Sequence, residues 1–179
     1  MLTVDHVALI IVDVQGKLAR LVYQSDRLFD NLQKLIRGAQ VLGLPILVTE
    51  QLPEKLGATA PELVALFDEF RPIRKKTFSC AGNEEFNAAL SALGRHQLLL
   101  AGIEAHVCVY QTALDLLAAG YAVHLLTDAV SSRTADNRAL GIERIKQAGA
   151  TLTSTEMALF ELLKVADGSA FKQIIQIIK

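Results

Sequence analysis

Tryptophan is absent from this sequence, and cysteine occurs only twice, at Cys80 and Cys108. Two thiols far apart, with no second Cys or His at close spacing, exclude a disulfide framework and a Cys-rich zinc site and fit a reducing compartment. Proline is scarce at 4 residues and glycine stands at 11, too few for a collagen-like or low-complexity chain. Neither charge sign dominates: 18 Lys and Arg against 19 Asp and Glu leave a formal net charge of −1, and no long block of either sign occurs. So balanced a chain does not advertise a phosphate backbone or an anionic surface as partner, and neither nucleic acid nor membrane is expected. Nowhere do about 18 apolar residues run together, and Met1 to His6 holds no basic stretch leading into an apolar one, so the expected location is the cytoplasm.

What the chain does have is apolar surface to bury: 51% of its 179 residues are hydrophobic types. At about 150 residues per domain this length accommodates one domain, 1–179. Runs rich in Val, Ile and Leu occur at Val7 to Val12, Pro45 to Thr49, Gln97 to Ala101 and Tyr121 to Thr127, with weaker ones at Arg71 to Lys75 and Ala150 to Thr153. The strong runs are too continuous for half-exposed strands and read as strands covered on both faces. Between them lie helical stripes, such as Leu28, Leu32, Leu35, Ile36 and Ala39 ending near Gly43, and Phe86, Ala89, Leu90 and Leu93 ending at Gly94. Leu63, Leu66 and Phe67 suggest another, and the stretch from Val109 to Ala119 ends at Gly120. Strand and helix alternating about six times predict a three-layer α/β/α sandwich on a Rossmann-like open parallel sheet. Sites in such sheets form where strands end and helices begin.

Three strand ends carry candidate chemistry. The first run ends in Asp13. An acid after six apolar residues needs a partner or must keep its proton, unless it merely caps the following loop. The third ends in Arg74, Lys75 and Lys76. Basic residues there are ordinarily solvated, but a lysine at this edge is also placed to pair with Asp13. Leu98 to Val109 is the most informative stretch: a buried strand, a Gly turn at Gly102, and a helix opening near Cys108. A helix start favours a thiolate and offers N–H groups to a developing oxyanion; the alternative is a small apolar Cys in the core, the reading that Cys80 keeps. His106 lies two residues before Cys108, a spacing that puts the two side chains on different helix faces and weakens it as a base. His6, His96 and His124 show no metal-ligand spacing and read as structural.

Together, the Asp-Val-Gln at Asp13 to Gln15, the Lys-x-x-Phe-Ser at Lys75 to Ser79 and the Gly-Ile-Glu-Ala-His-Val-Cys-Val ending at Val109 resemble the isochorismatase-like cysteine hydrolase superfamily, most closely its isochorismatase domain-containing proteins. The resemblance spans nearly the whole chain. It implies Asp13 as general acid/base, Lys75 rather than Lys76 as the pairing cation, and Cys108 as nucleophile. It also implies a cis bond between Ile103 and Glu104, with the N–H groups of Glu104 and Cys108 forming the oxyanion hole. Two departures matter. Related nicotinamidases hold a metal with an Asp and two His after the second strand, where this chain reads Val48-Thr49-Glu50-Gln51-Leu52-Pro53. No metal and no cofactor are therefore expected. Isochorismatases that cleave a vinyl ether need not have the cysteine, which is present here.

The expected reaction is hydrolysis of a small amide or carbamoyl C–N bond through a thioester, with Lys75 and the helix start bringing the thiol pKa toward neutrality and Asp13 sustaining its reactivity. A catalytically silent binding protein on the same fold and a vinyl-ether hydrolase are the alternatives. The expected rim of the substrate site is Gln15, Glu50, Gln51 and Tyr110, together with the loop running to Gly57. Lys55 and Arg20 are the only cations near it in sequence, which favours a neutral or cationic substrate over a dicarboxylate. The resemblance and the apolar tail of Phe171, Ile174, Ile175, Ile177 and Ile178 predict a homo-oligomer, the alternative for the tail being to pack on the chain's own sheet.

Overall fold

The computed structural model covers residues 1–179. After a 3-10 turn at Val4–His6 come β1 (Val7–Val12), α1 (Leu18–Leu21), α2 (Ser25–Val41), β2 (Ile46–Gln51), α3 (Pro53–Leu56), α4 (Pro61–Val64) and β3 (Ile73–Lys75). A second 3-10 turn, Cys80–Gly82, leads into α5 (Glu84–Leu93), β4 (Gln97–Ile103), α6 (Cys108–Ala118), β5 (Ala122–Ser131), α7 (Ala135–Gln147), β6 (Thr151–Thr153), α8 (Thr155–Leu163) and α9 (Gly168–Ile178). All pairings are parallel and the six strands lie in the order β3-β2-β1-β4-β5-β6. The strand order reverses between β1 and β4, so their carboxyl ends open the crevice in which ligands bind in such sheets.

Strand alternation explains the layers. Val7, Leu9 and Ile11 of β1, with Leu99 and Ala101 of β4, pack under Leu28, Leu32, Leu35 and Ile36 of α2 and Ala158 and Leu162 of α8. The intervening Ala8, Ile10 and Val12, with Leu98 and Leu100, face Phe86 and Leu90 of α5, Val109 and Ala113 of α6 and Ile145 of α7. Every residue of β1 is buried, the mark of a strand covered on both faces. α9 packs against α2 and α8 and buries Ile174 fully, so part of the apolar tail covers the chain's own helices.

Five segments differ from the sequence reading. The stripe at Leu63, Leu66 and Phe67 yields only the single turn of α4, and β3 is three residues long. Two short helices, α1 and α3, had no periodicity to announce them. β5 runs on to Ser131 through a bulge, its register with β4 jumping from Leu100↔Leu125 to Gly102↔Val130. Arg138 reaches back from α7 to the carbonyls of Thr127 and Val130 and satisfies backbone that the bulge leaves unpaired.

At the crevice β1 and β4 come unusually close. Gly102 sits at φ +119°, and a Cβ built there would lie 2.1 Å from the Val12 carbonyl oxygen. Only glycine fits this position, and it brings the residues after β1 and β4 side by side.

Candidate active site

Asp13 follows β1 at φ +53°, in the left-handed region that Asp tolerates better than most residues. That turn places its carboxylate among three elements. Oδ2 accepts from Lys75 Nζ at 2.6 Å and Oδ1 from the Thr49 hydroxyl at 2.7 Å. The ion pair is buried, with side-chain exposures of 0% for Lys75 and 6% for Asp13. Lys75 also donates to the carbonyls of Thr77 and Phe78, each at 3.0 Å. An ammonium has three donors, so Lys75 has none to spare. The register Gln51↔Lys75 and the two-residue alternation put Lys75, Gln51 and Thr49 on the same side of the sheet, while Arg74 and Lys76 are exposed.

Cys108 is the first residue of α6 and faces the same space. Asp13, Gln51, Cys108, Glu104 and Gln15 line a cavity of about 150 Å³, walled by Leu18, Leu56, Phe78, Ile103 and Val107. The thiol donates to Gln51 Oε1 at 3.2 Å, and Gln51 Nε2 is held by the Lys76 carbonyl at 3.3 Å. The Ile103–Glu104 peptide is cis. The N–H groups of Glu104 and Cys108 donate to no backbone or side-chain acceptor and stay available to a ligand. No group of three or more His, Cys, Asp and Glu side chains is placed to hold a metal ion.

The thiol itself departs from expectation. Burial pushes Cys108 up to about 12; the Asp13 carboxylate adds to this by its charge and as a hydrogen-bond acceptor, and Lys75 opposes it. Cys80 is raised to about 11, again chiefly by burial. The expected shift of the Cys108 pKa toward neutrality is therefore corrected: it runs upward, and Cys108 rests as a thiol. A helix start and a lysine already committed to Asp13 do not outweigh lost hydration and an adjacent carboxylate. Asp13 and Cys108 thus open on one cavity beside one buried cation.

This has a consequence for stability. Both thiols stay protonated in the fold well above about pH 8.5, where they titrate in the unfolded chain. Between those values the unfolded state binds fewer protons, so stability falls as pH rises, on the order of 1 kcal/mol per pH unit for each thiol. Urea midpoints at pH 7, 9 and 10 should decline, and Cys80→Ala, which removes one thiol, should flatten the decline. Equal slopes in both chains would contradict it.

Of the expected rim, Gln51 reaches the thiol and Gln15 lines the cavity, but Gln15 is occupied. Its Oε1 accepts from Gln51 N at 2.6 Å and its Nε2 donates to the carbonyls of Gln51 and Gly57, at 3.2 and 2.7 Å. Glu50 and Tyr110 lie elsewhere. Glu50 points to the other side of β2 and accepts from Thr59 N and Oγ1, at 2.7 and 2.8 Å, pinning the loop after α3. Tyr110 packs against Arg144, whose Nη2 donates to its hydroxyl at 3.0 Å. His106 turns to Ser132 Oγ, 3.0 Å from Nδ1, and is not in the cavity wall. Leu56, in the loop expected at the rim, does line the wall; the sequence reading missed Thr49, a hydroxyl closing an apolar run, and the wall residues Leu18 and Phe78. A Thr at the carboxyl end of the strand beside Asp13 was the available signal.

Comparison with known proteins agrees with this architecture. Residues 7–157 match the family model of the isochorismatase domain. The secreted isochorismatase effector Isc1 of Phytophthora sojae is 38% identical over 175 residues, covering 96% of this chain and 83% of that protein. The solved structure of MAR1 ribonuclease from Caenorhabditis elegans superposes with a TM-score of 0.92 at 36% identity, covering 99% of this chain and 91% of that one. The YcaC gene product of Escherichia coli, described as an octameric hydrolase of unknown specificity, gives a TM-score of 0.92 at 28% identity, covering 98% and 89%. With a family match across most of its length and a parallel sheet that carries the site at its switch point, the chain belongs to the isochorismatase family of hydrolases.

Proposed function

We propose that this chain hydrolyses a small amide or carbamoyl C–N bond with Cys108 as nucleophile, Asp13 as the single acid/base and Lys75 as the cation that fixes Asp13. The observation that carries the reading is the Asp13 carboxylate, clamped by Lys75 and Thr49 and opening on the cavity that holds the Cys108 thiol. The proton passes from sulfur to Asp13 as the C–S bond forms. Because the resting group is a thiol, transfer accompanies attack, and no standing thiolate is needed. The unspent N–H groups of Glu104 and Cys108 are the donors for the oxyanion. Asp13 gives its proton to the departing nitrogen as the C–N bond breaks. Water then loses a proton to Asp13 while adding to the thioester; the C–S bond breaks, and that proton returns to sulfur. The residues of the cavity perform each step without a bound group.

The test is a panel of small amides, carbamoyl compounds and esters, with Cys108→Ala as blank. Turnover of an amide or carbamoyl compound that is lost in the blank is expected. Turnover of a vinyl ether alone, or equal rates in the blank, would refute the reading. An RNA oligonucleotide in the same panel is expected to stay intact, because the cavity offers a phosphate no free cation.

We also propose a homo-oligomer, in the cytoplasm, that covers the cavity mouth. Phe78 and Leu56 stand there 52% and 39% exposed, and the Escherichia coli relative is octameric. Sedimentation should give a mass at least twice the 19.4 kDa of one chain, and a monomer at micromolar concentration would contradict it.

A further inference from the structure

Two acidic residues line the cavity: Asp13, whose carboxylate is held by Lys75 and Thr49, and Glu104, whose carboxylate is bound by Arg133. The cations around it are all engaged or turned away. Lys75 has its three donors on Asp13 Oδ2 and the carbonyls of Thr77 and Phe78. Arg133 binds Glu104 Oε1 through Nε at 2.9 Å and through its backbone N–H, with its side chain 59% exposed. Arg20, a candidate from the sequence, pairs with Glu62 and lies over the Phe29 ring, and Lys55 is exposed outside the cavity wall. Arg74 and Lys76 line a different, open hollow together with Leu52, Pro53, Glu54 and Lys75, whose side chain is itself fully buried. The remaining walls are Leu18, Leu56, Phe78, Ile103 and Val107, so nothing in them offers charge to a ligand.

We infer that the site is a charge filter: it admits compact neutral acyl groups to Cys108 and turns away carboxylates and phosphates. This rests on the reading of Cys108 as nucleophile and narrows its substrates to one class. Lys75 is the crux, since a buried lysine beside a nucleophile ordinarily suggests an anion site. Here it is an internal counter-ion. An entering anion meets the Asp13 carboxylate in a space shielded from water, gains no donor from Lys75, and gives up its own hydration. A neutral amide makes no such exchange, and its carbonyl finds the free N–H groups of Glu104 and Cys108.

The two halves of this separate with a matched pair of reagents. Iodoacetamide and iodoacetate alkylate a thiol by the same step: sulfur displaces iodide, a C–S bond forms as the C–I bond breaks, and the thiol proton passes to solvent. They are alike in size and differ in charge. Rates at Cys108 are read by peptide mass in the native chain, with the same peptide in urea-unfolded chain as reference for intrinsic reactivity. The native preference for iodoacetamide over iodoacetate is expected to exceed the unfolded preference by at least about tenfold, and to survive 1 M salt, which screens surface charge but not a buried group. A native preference within about twofold of the unfolded one would overturn the filter and leave Cys108 as nucleophile standing. If neither reagent reaches Cys108 in the native chain while both label it unfolded, the nucleophile reading falls, and the filter with it.

Discussion

Replacing Asp13 with Asn is expected to drive the two measures of Cys108 in opposite directions. Hydrolysis should fall by about 10²- to 10⁴-fold, the usual contribution of a positioned acid/base. Alkylation at neutral pH should instead become faster. Asp13 holds the thiol pKa up by charge and by hydrogen bonding, and Lys75 pulls it down. With the carboxylate gone, the lysine acts on the thiol unopposed. Removing that charge lowers the thiol pKa and raises the thiolate population. Nucleophilicity declines with basicity, so the net gain is smaller than the rise in thiolate. A thiolate activated by Asp13 in its resting state would show the reverse, with alkylation and hydrolysis lost together. The pH profile gives a second reading: the wild-type alkylation rate should still be climbing at pH 9, since the thiol is pushed up to about 12, and the variant's curve should lie at lower pH.

Lys75→Met should produce the largest loss of stability among substitutions in the site. It removes the partner of a buried carboxylate and leaves the Thr77 and Phe78 carbonyls short of a donor. Breaking a buried pair from one side typically costs about 3 to 5 kcal/mol. For a chain of this length that is a fall in Tm of about 6 to 20 °C. The double variant Asp13→Asn with Lys75→Met should recover part of it, since the stranded charge is then gone, although activity stays absent. A fall of less than about 2 °C for Lys75→Met would mean that the pair is not buried as described.

Much of this was legible in the sequence because burial on both faces leaves a plain trace. Continuous apolar runs marked β1, β2, β4 and β5, and their alternation with Gly-terminated stripes gave the layers. Asp13 and Lys75 stood out because each stands at the end of a strand as a residue type that the run does not explain, and Cys108 because it opens the helix that follows a buried strand and a Gly turn. What did not show was direction. Position at the sheet edge suggested Glu50 and Gln51 alike, yet neighbours in a strand face opposite ways: Gln51 reaches Cys108 and Glu50 reaches Thr59. Tyr110 shares a helix with Cys108 but points to Arg144. The wall depends on α1 and α3, two helices of four residues each, too short for any period to emerge. The thiol was misjudged for a related reason. A helix start is visible in sequence, whereas the depth at which it is buried is not.

The most direct test is chemical. The fastest amide found in the panel is mixed with the chain, quenched in acid within a turnover, and the intact mass is measured. Expected is an added mass equal to the acyl group, mapped to the Cys108 peptide, released by hydroxylamine and missing from Cys108→Ala. Steady turnover with no adduct on Cys108, and with activity kept by Cys108→Ala, would contradict the covalent route.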